Sequence, residues 1–296
     1  MKTVGVVGLG NMGSGLAKNL LKAGFVVNGW DLFEEKVTAH KEMGGIPCAN
    51  PSEVGQSAEA VFVMVMNGDQ VKDVIFGADG LLKTLKKGSV ILISATIHAH
   101  EAVEIANELD GSGIHLIDTP VSGGRPGAQG GTLTMMAAAS NEAFEIAWPA
   151  MEAVAGTIHK VGSEVGHGQT VKACLQSLIG AIFTSTYEAS ALAAKSGVNA
   201  EAFQEVVSTS VAGCPIANSS LENIINGQFK GTGSHIDTMY KDLTISMALG
   251  QRMGVPLFTA STAMQLFQAG KTKHPDGDNQ IVAQVVEDIV GARLRK

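Results

Sequence analysis

The sequence predicts a doubly wound, mostly parallel α/β domain followed by an all-α domain. Three observations point to this class. Short β-branched runs alternate with helix-patterned segments through the first half of the chain, the pattern that βαβ units produce. A glycine-rich turn separates the first such run from the first helical segment. Beyond about residue 160 the strand signals stop, and a long helical stretch with an uncharged centre follows. The division is set at residues 1–163 and 164–296, joined by that long helix.

Taken in order, residues 3–9 are an apolar run ending in glycines, and residues 14–23 repeat apolar positions at helical spacing. Phe25, Val26 and Val27 open a second strand leading to Asp31, residues 34–43 read as a polar helix, and residues 61–66 as a buried strand. Residues 90–93 and 114–117 are further strands, and residues 132–137 are the last candidate. From Gly168 to Lys195 the pattern is helical, with Gly197 placed to stop it. Within it the 15 residues from Ala173 to Tyr187 carry no charge, so burial on nearly every side is expected. Membrane insertion is disfavoured, because a span needs about 18 residues and this run includes Gln176, Ser177, Thr184 and Ser185. A helix of about 28 residues is about 42 Å long, more than a small domain can bury. Its middle is therefore expected between the helical domains of two subunits, in a homodimer or a homotetramer built from dimers. Helical stretches at 200–208, 241–253, 259–269 and 278–293 complete the second half.

Composition narrows the function class. The 296 residues are 45% hydrophobic and 17% charged, with 36 glycines in no regular period, which describes a packed chain with many tight turns. With 21 basic against 28 acidic side chains the net charge is -7. No basic stripe is present to neutralise a run of phosphates, so nucleic acid is not an expected partner. Cys48, Cys174 and Cys214 are odd in number and far apart, which fits neither a disulfide framework nor a zinc site and points to the reducing cytoplasm. The start of the chain lacks the pattern of a signal peptide, so a mature, soluble protein is expected. No pair of the eight histidines reads as H-x-x-x-H with an acid, and no catalytic metal is expected.

Gly8-Leu9-Gly10-Asn11-Met12-Gly13 reads G-x-G-x-x-G between a strand and a helix. In such a turn the first glycine permits the tight bend, the second lets main chain approach a pyrophosphate, and the third lets helix pack on strand. The helix N-terminus adds N–H donors and a partial positive charge. Asp31 follows 18 residues after Gly13, at the end of the second strand, where a carboxylate accepts from adenosine ribose hydroxyls. Glu34 and Glu35 would repel an added 2′-phosphate, and no basic residue intervenes before Lys36. NAD is therefore expected rather than NADP. A turn that serves packing alone is the competing reading, and its strand, helix and acid argue against it.

That turn, with Met12, is the first of four ordered motifs. Asp118-Thr119-Pro120-Val121-Ser122-Gly123-Gly124, continued by Gly127-Ala128 and Gly131-Thr132-Leu133, is the second. Gly166-His167-Gly168-Gln169-Thr170-Val171-Lys172 is the third and Lys241-Asp242-Leu243 the fourth. Over essentially the whole chain they resemble the G-x-G-x-M-G, D-x-P-V-S-G-G, G-x-G-x-x-x-K and K-D-L motifs of the β-hydroxyacid dehydrogenase family. That family includes 3-hydroxyisobutyrate dehydrogenase, tartronate semialdehyde reductase and threonate dehydrogenase. The resemblance implies a Rossmann domain plus a helical domain that often dimerises. It implies an enzyme that oxidises a small 3-hydroxy acid to its semialdehyde or keto acid with NAD, or runs the reverse. Gly8, Leu9, Gly10, Asn11, Met12, Gly13 and Asp31 would then hold the dinucleotide. Val65 and Met66 would line it, Thr96 would meet its nicotinamide side, and Lys241 would close over it.

The chemistry needs a base for the hydroxyl proton and donors for the substrate carboxylate. Lys172 is the candidate base, and acid in reverse, with no charged neighbour for five positions on either side; burial can bring a lysine pKa toward neutrality. Gln176, one turn on, can bond either the lysine or the substrate. Ser122, Gly123 and Gly124 offer a hydroxyl and approachable N–H groups to the carboxylate. The chain also departs from the family pattern. Lys172-Ala173-Cys174-Leu175-Gln176 lacks the first amide of K-x-x-N-N or K-x-x-N-Q, Ala95 replaces the usual Ser before Thr96, and Cys214 and His235 replace a Ser and an aromatic. These changes alter the substrate pocket and leave the acid's substituent open between methyl, hydroxymethyl, sulfonate and a longer polyol. A semialdehyde reductase for another acid, such as a sulfonate or a four-carbon acid, is the second reading. A non-catalytic dinucleotide-binding module is a third, against which the retained Lys172 and the lack of a basic tail argue.

Overall fold

The computed structural model describes residues 1–296. Six short strands form its parallel sheet: β1 (Thr3–Val7), β2 (Val26–Trp30), β3 (Ile46–Pro47), β4 (Ala60–Val63), β5 (Val90–Ile93) and β6 (His115–Asp118). They are linked through α1 (Gly13–Lys22), α2 (Glu34–Glu42), α3 (Pro51–Gly55), α4 (Gly68–Phe76) and α5 (Ala99–Glu108). The spatial order β3-β2-β1-β4-β5-β6 reverses direction between β1 and β4, the doubly wound arrangement expected. Alternate residues of each strand serve opposite faces. Val4, Val6, Phe62 and Leu92 join one apolar cluster, whereas Val7, Val61, Val63, Ile91 and Ile93 join another. Strands buried on both faces require helices on both, which is why these runs are continuously apolar.

The sheet is completed by β7 (Val121–Ser122), α6 (Gly124–Gly130), β8 (Leu133–Ala138), α7 (Asn141–Val154) and β9 (Ala155–Gly162). β8 is antiparallel to β6 and β7 and parallel to β9. Sequence periodicity does not reveal β9, because this strand keeps exposed residues such as His159 and Lys160 on its surface. The two-residue strands β3 and β7 are too short to leave a periodic signal. The strand expected over 61–66 ends at Val63. Met64 N still bonds Val7 O at 2.8 Å, but the chain then leaves the sheet, and Met66 is 55% exposed.

The remainder is helical: α8 (His167–Lys195), α9 (Ala200–Thr209), α10 (Pro215–Ile225), α11 (Ile236–Met253), α12 (Phe258–Lys273) and α13 (Val282–Val290). The sequence pattern gives no sign of α10, and α11 begins five residues before the expected 241. Pro215 occupies the first turn of α10, and the His235 side chain caps α11 by accepting from Asp237 N. The chain divides into two compact units, Met1–Lys172 and Ala173–Lys296. In the second, Phe183, Tyr187, Met239, Leu243 and Phe267 form the core. A Cβ on Gly180 would lie 2.7 Å from the Leu243 side chain, so α8 and α11 pack closely there.

Burial of α8 on nearly every side is not what a single chain shows. Cys174 and Ser185 are exposed, and Leu178 and Leu192 are 58% and 69% exposed, because the neighbouring helices cover one side of the helix only. No helix is long and apolar enough to cross a membrane.

The glycine turn sets a steric test of the fold. A Cβ on Gly13 would lie 1.7 Å from Gly8 O, whereas one on Gly10 meets nothing within 4 Å. Gly13→Ala is expected to cost about 2 kcal/mol or more in chemical denaturation, and Gly10→Ala to leave the denaturation midpoint in place.

Candidate active site

Register places the site. Val7 pairs with Val63, Val63 with Ile93, and Ile93 with Asp118, so four strands end level and the loops after them gather at one sheet edge. Gly8–Met12, Val65, Met66 and Thr96 belong to those loops, Gly13 opens α1, and Ser122–Gly124 follow β6 closely, at the end of β7 and the start of α6. In open α/β sheets this carboxyl edge, at the switch in strand order, is where ligands bind.

Gly8 has φ +89°, and a Cβ there would lie 2.3 Å from Met64 O, so only glycine fits the bend. The N-terminus of α1 has no side-chain cap and no acid in its first turn. Ser14 N already donates to Gly10 O at 3.0 Å, but the helix N-terminus still carries a partial positive charge for an anion, and the open space at Gly10 gives a pyrophosphate room to approach. Asp31 Oδ2 accepts from Leu9 N at 2.7 Å, and its Oδ1 accepts from Phe33 N at 3.0 Å. This carboxylate fixes the glycine turn and retains lone pairs for a ribose. These residues fit a dinucleotide. Lys36 Nζ lies 3.4 Å from Asp31 Oδ1 and 4.3 Å from the centre of the Phe33 ring, a contact that the sequence did not indicate.

Lys172 is 6% exposed and donates to Val121 O at 2.9 Å. It therefore sits against the loop whose next residues are Ser122, Gly123 and Gly124. Gly123 and Gly124 have φ +128° and +57°, and their main chain is exposed. Two residues that sequence reasoning had not assigned hold the start of α8. Asp118 Oδ2 accepts from Gly166 N at 2.8 Å and Gln169 N at 3.1 Å. The Gln169 side chain accepts from Ile97 N and donates to Ala95 O, each at 3.0 Å, and so brackets Thr96. Burial pushes the Asp118 carboxyl up to about 6, against the opposing effect of these N–H donors. The D-x-P-V-S-G-G motif contained Asp118, but only the fold reveals its partners.

In the second unit the Gln176 amide nitrogen donates to Asp242 Oδ2 at 2.6 Å, and Lys241 Nζ is 2.9 Å from Asp242 Oδ1. The Gln176 side chain, one turn beyond Lys172, is thus held by Asp242 through its nitrogen. Asp242, the middle residue of K-D-L, joins two of the residues that the sequence had singled out.

Residues 3–162 match the family described as the NAD-binding domain of 6-phosphogluconate dehydrogenase, and residues 166–286 that of NADP-dependent 3-hydroxyisobutyrate dehydrogenase. An L-threonate dehydrogenase of Escherichia coli O6:H1 is 35% identical over 288 residues, covering 97% of this chain and 95% of its own. The chain belongs to the β-hydroxyacid dehydrogenase family. A 2-(hydroxymethyl)glutarate dehydrogenase of Eubacterium barkeri is 34% identical over 269 residues, 90% of this chain and 89% of that one. A 3-hydroxyisobutyrate dehydrogenase structure from Salmonella typhimurium superposes with a TM-score of 0.88 at 31% identity, covering 96% of this chain and all of that one. This β-hydroxyacid dehydrogenase is an oxidoreductase that uses a nicotinamide dinucleotide, and small hydroxy acids are its substrate class.

Proposed function

We propose that this dehydrogenase interconverts a small, polar 3-hydroxy acid and its oxidised product with NAD, Lys172 moving the hydroxyl proton. The observation that carries the reading is the nearly complete burial of Lys172 with its Nζ on Val121 O, beside the loop of Ser122, Gly123 and Gly124. Bound nicotinamide supplies the hydride acceptor, or the donor in reverse. In oxidation an uncharged Lys172 keeps one N–H on Val121 O and takes the hydroxyl proton on its lone pair; in reduction it returns that proton. Ser122 Oγ and the main chain of Gly123 and Gly124 receive the carboxylate. Gln176, its nitrogen held by Asp242, offers Oε1 to a substrate hydroxyl. Gly8, Leu9, Gly10, Asn11, Met12, Gly13 and Asp31 hold the adenosine and pyrophosphate, while Val65, Met66, Thr96 and Lys241 serve the nicotinamide half.

L-threonate leads the candidate acids, on the similarity to relatives of that name and on the acceptor at Gln176. A panel of L-threonate, 3-hydroxyisobutyrate and a hydroxysulfonate with NAD, followed by NADH absorbance, ranks them. Lys172→Ala is expected to lose turnover by about a hundredfold or more while NADH binding persists. Near wild-type turnover in that variant overturns the assignment.

The preference for NAD is supported by Asp31 after β2, by Glu34 and Glu35 in the first turn of α2, where they would repel a 2′-phosphate, and by Lys36, already engaged by Asp31 and Phe33. The efficiency ratio kcat/KM is expected to favour NAD over NADP by about tenfold or more. Equal efficiencies would place the acid away from the ribose.

Residues 1–163 serve as the dinucleotide domain and residues 164–296 as the substrate and dimerisation domain, in a cytoplasmic enzyme. The exposed stripe of Cys174, Leu178, Ser185 and Leu192 on α8 supports a second copy of this chain as its cover. Light scattering is expected to give two or four times the 30.6 kDa chain mass, reduced by Leu178→Glu. A wild-type mass of one chain rejects the shared helix.

A further inference from the structure

The first turn of α8 is fastened at three points. At its start, the Asp118 carboxylate receives Gly166 N and Gln169 N. At its flank, the Gln169 amide bonds both Ala95 O and Ile97 N, the main chain on either side of Thr96. Beneath it, a Cβ on Gly168 would lie 2.6 Å from both Asp118 O and Met136 O, so the helix is pressed onto main chain of β6 and β8. Lys172 follows Gln169 by three residues, and its reach to Val121 O depends on the rotation and height of this turn. Asp118 is fully buried, and its Oδ1 has no hydrogen-bond partner.

We propose that Asp118 and Gln169 are positioning residues for proton transfer, holding the start of α8 so that Lys172 Nζ stays beside the substrate loop. The inference rests on the reading of Lys172 as the proton-transferring group. It also accounts for an acid at a site where an amide of the same shape would be cheaper to bury. The folded carboxyl titrates at about 6 against an ordinary 3.8. A raised carboxyl contributes its stability below the ordinary value and loses it as pH rises through about 6, so near neutrality the ionised form weighs against folding. Its charge instead offsets the positive end of α8, and so favours the ammonium form of the lysine carried on that helix. The same residue sets where the lysine stands and how readily it gives up its proton.

Asp118→Asn and Gln169→Leu test this in the full-length enzyme. The measurements are kcat, KM for NAD, melting temperature and the pH profile of kcat/KM for L-threonate, or 3-hydroxyisobutyrate if that is the acid turned over. Glu164 and His167 beside the turn, and the Lys241–Asp242 pair that holds Gln176 one turn beyond Lys172, stay in place. Asp118→Asn is expected to lower kcat about tenfold or more, with KM for NAD unchanged and the melting temperature equal or raised. The limb of kcat/KM that rises with pH should move to lower pH by roughly half a unit, because the lost charge no longer favours the ammonium. Gln169→Leu should lower kcat with that limb unmoved, since it removes a neutral clamp. Wild-type kcat with an unmoved limb in Asp118→Asn overturns the proposal. So does a loss of kcat that comes with a lower melting temperature and a raised KM for NAD, the mark of a purely structural role. Lys172→Ala, assayed in parallel, separates the two readings. Full turnover there removes the lysine assignment, whereas an inactive Lys172→Ala beside a wild-type-like Asp118→Asn removes only the positioning role.

Discussion

Four parallel strands that end at the same level are the constraint on which this molecule depends. The pairings of Val7 with Val63, Val63 with Ile93 and Ile93 with Asp118 bring loops distant in sequence to one edge. The strand order reverses between β1 and β4, the switch point at which open α/β sheets bind ligands. The crowding is visible at Gly8, where no side chain could fit beside Met64 O. Strands buried on both faces have no freedom to slip, since a shift by one residue would exchange the inward sets of the two apolar clusters.

Two acids perform matching work at that edge. Asp31, just beyond β2, accepts the N–H of Leu9 in the glycine turn. Asp118, the last residue of β6, accepts the N–H groups of Gly166 and Gln169 at the start of α8. In each case a carboxylate at a strand end fixes the main chain that begins a helix, where the helix dipole favours negative charge. They differ in what balances them. Asp31 has Lys36 beside it, whereas Asp118 is held by main-chain N–H groups, and burial raises its carboxyl to about 6.

The second unit secures its long connections by other buried polar contacts. Asp278 accepts from both the N–H and the hydroxyl of Thr232, at 2.6 and 2.7 Å, and the hydroxyl of fully buried Tyr187 donates to Asn279 O at 2.8 Å. Arg295 makes a two-pronged pair with buried Glu287 at 2.7 and 2.8 Å, tying the chain end to α13. Such pairs resist disruption because removing one partner strands the other in a poorly solvating interior. On α8 the outward-facing Leu178 and Leu192 stay exposed, at 58% and 69%.

Local chemistry alone made much of this legible. Continuous apolar runs between glycines marked strands that need cover on both faces, and G-x-G-x-x-G with Asp31 marked a dinucleotide turn, because those patterns follow from neighbouring residues. Exposed β9, the two-residue strands and α10 were not legible, since their pairing and packing are set by partners far along the chain. The motif residues Lys172 and Ser122–Gly124 could be named from sequence, but the carbonyl that receives the lysine could not. Nor could the two bonds of Asp118, the bracket that Gln169 forms around Thr96, or the bond from the Gln176 amide to Asp242. Each of those contacts joins residues about 50 to 75 positions apart. A sequence determines which groups can donate, accept or bend. Which of them meet is decided only when strand register and helix rotation bring distant main chain within hydrogen-bond reach.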